Sequence, residues 1–165
     1  DLGELARWAV ATAVPPPLEG RVEVADDVPL VRAHYDPLAR ALGNVLLNAV
    51  EACGERGRVT VRVQRARHAE VPGDAVALTV ADTGCGIAPE RLASIWDPYV
   101  THKAHGTGLG LAIARQTVLA HGGAVDAVSA VGRGTEIRFI LPVHGAPPDA
   151  RAVGTTGEFL LPLRT

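Results

Sequence analysis

Two asparagines and a glutamate recur along one predicted helix. Asn44, Asn48 and Glu51 are spaced by four and three residues, a spacing that stacks side chains on one face of a helix. Asparagine is a mediocre helix former because its side chain competes for backbone hydrogen bonds, so two of them within one helix need a reason. Two interpretations stay open from the helix alone. The amides are solvated or bonded to a neighbouring strand, or their oxygen atoms hold a hard cation such as Mg²⁺ together with substrate phosphates.

An aspartate stands at the end of an apolar run and is followed by two alternating glycines. The segment from Asp82 to Ile87 places one carboxylate at the rim of a predicted sheet, and Gly84 and Gly86 let the backbone approach a flat ligand closely. An ordinary turn has the same short signature, because aspartate and glycine are common in turns. The segment therefore predicts either a ligand-binding edge or a turn.

A second glycine-rich segment, from Gly106 to Leu111, precedes another predicted helix. Glycines at a helix N-terminus leave several backbone N–H groups available for an anion, which the helix dipole also favours. The segment lacks the Gly-Lys-Ser/Thr sequence of a Walker loop, and a loop precedes it where a dinucleotide fold requires a strand. It predicts a phosphate-binding loop of another kind, or a glycine-softened loop before a helix.

Periodicity and turn signals predict the elements that position these segments. In chain order they are a helix that ends before Pro15; a strand pair of residues 21–24 and 30–33 around a turn at 26–29; a helix with Asp36 as its N-cap that runs to Cys53; an edge-like strand over 58–67; a central strand over 75–81; a short helix over 89–95; a helix over 109–121; and two strands over 124–128 and 136–141. The stretch from Trp96 to Lys103 is interpreted as a loop whose rings pack on the core. This pattern indicates an α+β fold, a two-layer sandwich with a mixed sheet covered on one face by helices.

The composition excludes several classes of partner. The chain of 165 residues has a net charge of −2 and no basic run, so we expect neither nucleic-acid binding nor direct membrane contact. Cys53 and Cys85 are the only cysteines, which favours two free thiols in a reducing cytoplasm over a disulfide or zinc framework. No apolar stretch approaches the ~20 residues that span a bilayer. We expect a cytoplasmic segment, while a membrane-anchored parent chain stays open.

Together and in this order, the segments resemble the motifs of the nucleotide-binding fold shared by histidine kinases, type II topoisomerases, Hsp90 chaperones and MutL repair proteins, the GHKL or Bergerat-fold family. The matching stretches, read as the asparagine box, first glycine box, phenylalanine box, second glycine box and closing motif, are 44–49, 82–86, 96–99, 106–111 and 132–135. The resemblance covers residues 20–143, which we predict to be a catalytic ATP-binding domain. Residues 1–19 are then an incoming helix and linker from an upstream dimerisation module, and 144–165 a C-terminal tail.

The resemblance implies ATP and Mg²⁺ as ligands and assigns residues to them. Asp82 accepts a hydrogen bond from the adenine amino group, with Thr135 near the same base. Asn48 holds Mg²⁺ and Asn44 lies close by, while residues 88–105 form a lid from which Lys103 reaches the phosphates. Asn44 and Lys103 are the implied catalytic residues. The implied nucleotide-binding residues are Asn44, Asn48, Glu51, Asp82, Gly84, Gly86, Ile87, Tyr99, Lys103, Gly106, Thr107, Gly108, Leu109, Gly110 and Thr135.

One position favours phosphoryl transfer over hydrolysis. Family members that hydrolyse ATP carry a glutamate four residues before the metal asparagine, but this chain has Asn44 there, which cannot act as a base at neutral pH. The sequence looks most like the nitrogen-regulatory class of histidine kinases, with Trp96, Tyr99, His102 and Glu51 as departures. The expected function is donation of the ATP γ-phosphate to a histidine on a separate dimerisation domain, with a response regulator downstream.

Other functions of the same fold stay open at this point. A nucleotide-sensing module would bind ATP without transferring phosphate, and a topoisomerase- or chaperone-like clamp would hydrolyse it steadily. A serine-directed kinase would differ only in its partner. The six histidines of the chain lie in predicted strands, the lid, a helix end or the tail, and none has the helical setting of a phosphoacceptor.

Overall fold

Five strands form one mixed sheet in the computed structural model, which describes residues 1–100 and 108–144. The strands are β1 (Glu19–Val24), β2 (Arg58–His68), β3 (Val71–Asp82), β4 (Ala124–Ala130) and β5 (Gly134–Pro142). They lie in the order β1-β2-β3-β5-β4. β1 runs parallel to β2, and the other three pairs are antiparallel. The predicted mixed sheet is confirmed.

Within the described residues, four helices accompany the sheet, and three of them share a core with one of its faces. They are α1 (Leu2–Ala13), α2 (Tyr35–Cys53), α3 (Pro89–Leu92) and α4 (Gly110–Ala120). The core joins apolar residues of α1, α2 and α4 to alternate residues of the strands, such as Val61, Leu78 and Phe139. The α+β sandwich is therefore the observed architecture. None of the helices within residues 1–100 and 108–144 is long and apolar enough to cross a bilayer.

The apolar stripe of α2 explains why this helix forms and where it lies. Leu38, Leu42, Val45 and Ala49 are each at most 3% exposed, and their spacing of three and four residues keeps them on the face toward the sheet. Gly54 ends the helix with a φ of 64°, a conformation that glycine adopts without strain. α1 belongs to the same core, and its Leu5 and Ala6 are also buried.

The other face of the sheet carries charges that neutralise one another. Register places Glu23 opposite Arg62 and Asp126 opposite Arg138. Arg62 Nε lies 3.1 Å from Glu23 and Arg138 Nη2 lies 3.0 Å from Glu136. These exposed ion pairs contribute little stability each, but they keep a solvent-facing β surface polar.

The predicted pairing of residues 21–24 with 30–33 is wrong. Residues 30–33 form no strand, and β1 pairs instead with β2, with Glu19 opposite Arg58. Alternation of apolar and polar residues identifies a half-buried strand but does not identify its neighbour. The turn after β1 is real, and Arg65 Nε holds it by donating to the Asp27 carbonyl at 2.8 Å.

The predicted start of α2 at an Asp36 cap is also wrong. His34 occupies the N-cap position and Asp36 lies in the first turn. The backbone N–H of His34 donates to Nε2 of His121 at 3.1 Å, while Nδ1 of His121 contacts the Thr117 carbonyl at 2.7 Å. Because a carbonyl only accepts, Nδ1 carries the proton and Nε2 is the acceptor. A tertiary contact to the end of α4 thus sets the start of α2.

Two further predictions need smaller corrections. β2 is not an edge strand, because β1 covers its outer side and the edges of the sheet are β1 and β4. The short helix α3 ends at Leu92, three residues before the predicted end. The predicted division at residues 19 and 143 stays a prediction, and the predicted tail, residues 144–165, lies outside the described residues except for His144.

Candidate functional site

The carboxylate of Asp82 is fastened at the end of β3 by two backbone donors. The N–H of Gly84 lies 2.8 Å from its Oδ1, and the N–H of Thr135, at the start of β5, lies 3.3 Å from the same atom. Oδ2 receives no hydrogen bond from any group within residues 1–100 and 108–144. One oxygen therefore orients the carboxylate, and the other remains as an acceptor for a ligand.

Burial decides the acidity of Asp82. Removal of the carboxyl from water raises its pKa above the usual range, and the N–H groups of Gly84 and Thr135 offset only part of this rise. The ionised form is thus less stable in the fold than in water. A hydrogen bond from a ligand N–H to Oδ2 would offset part of that cost, because it stabilises the ionised carboxylate more than the protonated one.

A hydroxyl network joins the first glycine loop to the strands behind it. Ser129 Oγ, on β4, accepts from the N–H of Ile87 at 2.8 Å, and it contacts the Gly134 carbonyl and the Thr135 Oγ1 at 2.9 Å each. The structure thereby links Ile87 and Thr135 through Ser129, a residue that the sequence motifs did not include. The sequence marks Ser129 only as a polar residue in β4 shortly before a glycine turn.

Close backbone contacts explain the glycines of this loop. A Cβ added to Gly86, whose φ is 71°, would lie 2.0 Å from the Ala130 carbonyl oxygen. One added to Gly84 would lie 2.5 Å from the Ala52 carbonyl oxygen at the end of α2. Both glycines are therefore needed to let the loop lie between α2 and β4. The N–H of Cys85 donates to Ala52 at 3.1 Å, so the loop and α2 form one wall of the site.

Asn44 connects α2 to the beginning of α4. Its Nδ2 donates to the Gly110 carbonyl at 3.2 Å, which places the predicted phosphate-binding helix end against the asparagine face of α2. Asn48 lies one turn further along and is half-buried, and Glu51 follows it and is exposed. Both make contacts in the folded chain. Asn44 therefore bonds a neighbouring element, but that element is the helix α4 and not the strand that the first interpretation named.

The second glycine segment is described from Gly108 onward. Leu109 is the N-cap residue of α4, and its hydrocarbon side chain cannot accept from the N–H groups of the first turn. The Gly108 carbonyl accepts from the N–H of Tyr99 at 2.9 Å, so the segment after α3 reaches the start of α4. Trp96 packs against the core as predicted, whereas Tyr99 is 65% exposed. The predicted site residues Lys103, Gly106 and Thr107 lie outside the described residues.

The family described as histidine kinase-, DNA gyrase B- and HSP90-like ATPases matches residues 33–145. The chain belongs to this family. The match includes Asp82, Thr135, both asparagines of α2 and the whole of α4.

Curated proteins similar to this chain include histidine kinases. The chain is 44% identical to the sensor histidine kinase ZraS of Klebsiella oxytoca over 119 residues, which cover 72% of the chain and 25% of ZraS. It is 34% identical to the signal transduction histidine-protein kinase AtoS of Escherichia coli over 122 residues, 74% of the chain and 19% of AtoS. The chain thus spans about a quarter or less of the length of these curated relatives.

Solved structures show the same ATPase fold. The mycobacterial sensor histidine kinase MprB superposes with a TM-score of 0.74 at 32% identity, covering 90% of this chain and 97% of that one. Full-length ShkA, solved in complex with AMPPNP, gives a TM-score of 0.74 at 32% identity over 88% of this chain and 31% of its own. The two-layer architecture is therefore that of histidine kinase ATPase domains.

Proposed function

We propose that this domain binds Mg-ATP and donates its γ-phosphoryl group to a histidine on a separate dimerisation domain of a sensor kinase. Membership in the ATPase family and similarity to ZraS, AtoS and MprB support the assignment. The binding of AMPPNP, an ATP analogue, by the similar kinase ShkA supports the ligand. A response regulator would receive the phosphoryl group from that histidine. Nucleic acid has no place in this scheme.

The observation that carries the proposal is the orientation of Asp82. Its carboxylate is half-buried and is held through Oδ1, while Oδ2 accepts from no group within residues 1–100 and 108–144. A planar base that donates an N–H fits this arrangement, and the adenine amino group is such a donor. Gly84 and Gly86 let the loop beside Asp82 pack directly against the backbones at Ala52 and Ala130, where a side chain would clash.

The donor set of α2 also fits Mg²⁺ bound with a triphosphate. The asparagine amide is an oxygen ligand of the kind that Mg²⁺ accepts alongside water and phosphate oxygens. We assign Asn48 as the metal ligand, and Glu51 as a neighbour that would repel the phosphates unless it helps to hold the cation. Bound Mg²⁺ would neutralise charge on the transferring phosphoryl group.

The other residues of the site would act by positioning. Asn44 aligns α2 with the start of α4, where N–H groups at Gly108, Leu109 and Gly110 would bind the phosphate tail. Lys103 would place a positive charge at the terminal phosphates. Gly106, Thr107 and Tyr99 would also bind the nucleotide. Asn44 cannot deprotonate water, so bound ATP would not be hydrolysed quickly. Its γ-phosphoryl group would remain in place until the histidine of the other domain attacks it. Because ATP is cytoplasmic, we place the domain there.

A direct test provides a histidine-bearing domain as the acceptor of the phosphoryl group. The chain is incubated with γ-labelled Mg-ATP and the dimerisation domain of its parent kinase, in its natural form and with the acceptor histidine changed to glutamine. We expect acid-labile label on the natural acceptor domain only. ATP binding without transfer would support a nucleotide-sensing module instead, and steady release of phosphate without an acceptor would support an ATP-driven clamp.

The metal assignment predicts a selective effect of Asn48→Ala. We expect this change to remove most of the Mg²⁺-dependent part of ATP affinity, about 1 kcal/mol, the usual net value of one polar interaction. Affinity for ADP in the presence of chelator should stay within a factor of about two. Calorimetric titrations with and without Mg²⁺ measure both quantities. Leu47→Ala, one residue earlier on α2 and 54% exposed, controls for a general effect on the helix, and equal losses with and without Mg²⁺ would make Asn48 a structural amide.

A further inference from the structure

Ser129 makes three hydrogen-bonded contacts that can form together in only one arrangement of protons. Its Oγ lies 2.8 Å from the N of Ile87, 2.9 Å from the O of Gly134 and 2.9 Å from the Oγ1 of Thr135. A serine hydroxyl has one proton to donate and two lone pairs that accept. The Ile87 N–H can only donate and the Gly134 carbonyl can only accept. Ser129 therefore donates to Gly134 and accepts from both Ile87 and Thr135.

This arrangement determines what Thr135 can offer to a ligand. Its single hydroxyl proton is directed to Ser129, so the lone pairs of Oγ1 are what remain. Thr135 is 9% exposed, and its backbone N–H donates to Asp82 Oδ1, which holds the two residues together. The neighbouring Oδ2 of Asp82 is also an acceptor. The two side chains thus present acceptors and no donor.

We propose that Ser129 is a positioning residue that directs the proton of Thr135 away from the base, so that the site selects a purine with an amino group over one with a carbonyl group. The inference rests on the proposed adenine site at Asp82 and Thr135. An amino group donates to the acceptors of this site. A carbonyl group at the same ring position would meet lone pairs, and a site built for one polarity rejects the other through unpaired groups.

The test compares ATP with inosine triphosphate, which carries a carbonyl in place of the amino group and an N1–H in place of the unprotonated N1. Calorimetric affinities of both nucleotides are measured on the full chain for the wild type, Ser129→Ala, Thr135→Val and the double variant. In Ser129→Ala the Thr135 hydroxyl loses its acceptor and can turn to donate to the inosine carbonyl. We expect the ATP to inosine triphosphate affinity ratio to fall about fivefold, which corresponds to one net hydrogen bond.

Matched variants separate positioning from a loss of structure. In the Thr135→Val background, Ser129→Ala should leave the ratio unchanged, because no hydroxyl remains to turn. Ser129→Thr retains the hydroxyl and should keep the wild-type ratio. Ser129→Cys, which accepts hydrogen bonds weakly at nearly the same volume, should lower the ratio as alanine does, and it carries the test where Ser129→Ala does not fold.

The outcomes distinguish this inference from the proposed function. A wild-type chain that binds neither nucleotide would contradict the proposed function. Wild-type ATP binding, combined with an unchanged ratio in folded Ser129→Ala or Ser129→Cys, would overturn the role of Ser129 alone. The same would follow from an equal fall of the ratio with and without Thr135, because that result would assign the serine a general effect on loop structure.

Discussion

Asp82→Asn should weaken ATP binding by about 1–3 kcal/mol, the cost of a mispaired buried group, while the nucleotide-free domain stays folded. The asparagine Oδ1 can still accept from the N–H groups of Gly84 and Thr135, which hold the carboxylate in the wild type. The NH₂ group then replaces Oδ2 and points a donor at the amino group of adenine. Calorimetry with ATP and inosine triphosphate measures the change. Inosine triphosphate, whose base carries a carbonyl at this position, should lose less affinity than ATP does.

The raised pKa of Asp82 predicts the effect of the same change on stability. Because burial raises its pKa in the fold, the folded state holds the proton more tightly than the unfolded state. The stability linked to this proton is present at low pH and is lost as the pH rises through the folded pKa. At neutral pH the ionised Asp82 therefore lowers stability, and we expect Asp82→Asn to be at least as stable as the wild type in chemical denaturation.

The pH dependence of binding provides a control for this interpretation. A ligand N–H bonds the ionised carboxylate more strongly than the protonated one, so wild-type ATP affinity should decline as the pH falls through the raised pKa of Asp82. The Asp82→Asn variant has no charge to lose at this position. Its ATP affinity should therefore decline less at low pH than the ATP affinity of the wild type. ATP affinity equal to the wild type in a folded Asp82→Asn protein would contradict the assignment of Asp82 to the base.

Gly134→Ala should destabilise the domain by about 3 kcal/mol or more, the combined order of backbone strain and overpacking. Gly134 has a φ of 91°, and an added Cβ would lie 1.9 Å from the carbonyl oxygen of Asp82. β5 would have to move away from the end of β3, and the Gly134 carbonyl that accepts from Ser129 would move with it. ATP binding should therefore fall together with stability.

Gly132→Ala is the matched control for this substitution. Gly132 also has a positive φ, 75°, but an added Cβ would have nothing within 4 Å. It should cost about 1 kcal/mol from backbone conformation alone. Urea denaturation of both variants measures the free energy of unfolding, and nucleotide titration at low denaturant measures binding. Equal losses in the two variants would show that the close approach of Gly134 to Asp82 has no energetic consequence.

Several features of this protein follow from the sequence alone because they depend on local patterns. The apolar stripe of α2 and the continuous apolar run of β3 identified a packed helix and a central strand. The order of the asparagine and glycine motifs indicated the family, which the comparisons confirm. Asp82 could be placed at a strand end beside a glycine loop, because the residues that cause this geometry are its neighbours in the chain.

Other features were decided by tertiary structure, because they join residues that are far apart in the chain. The bond from Ile87 to Ser129 spans 42 residues, and the bond from His34 to His121 spans 87. β1 pairs with β2 rather than with residues 30–33, since alternation specifies which face is buried and not which strand lies alongside. Local periodicity thus determined the elements and the motif positions. Packing of α4 and β4 against them decided which polar atoms meet, and therefore how Thr135 and Asp82 lie relative to each other.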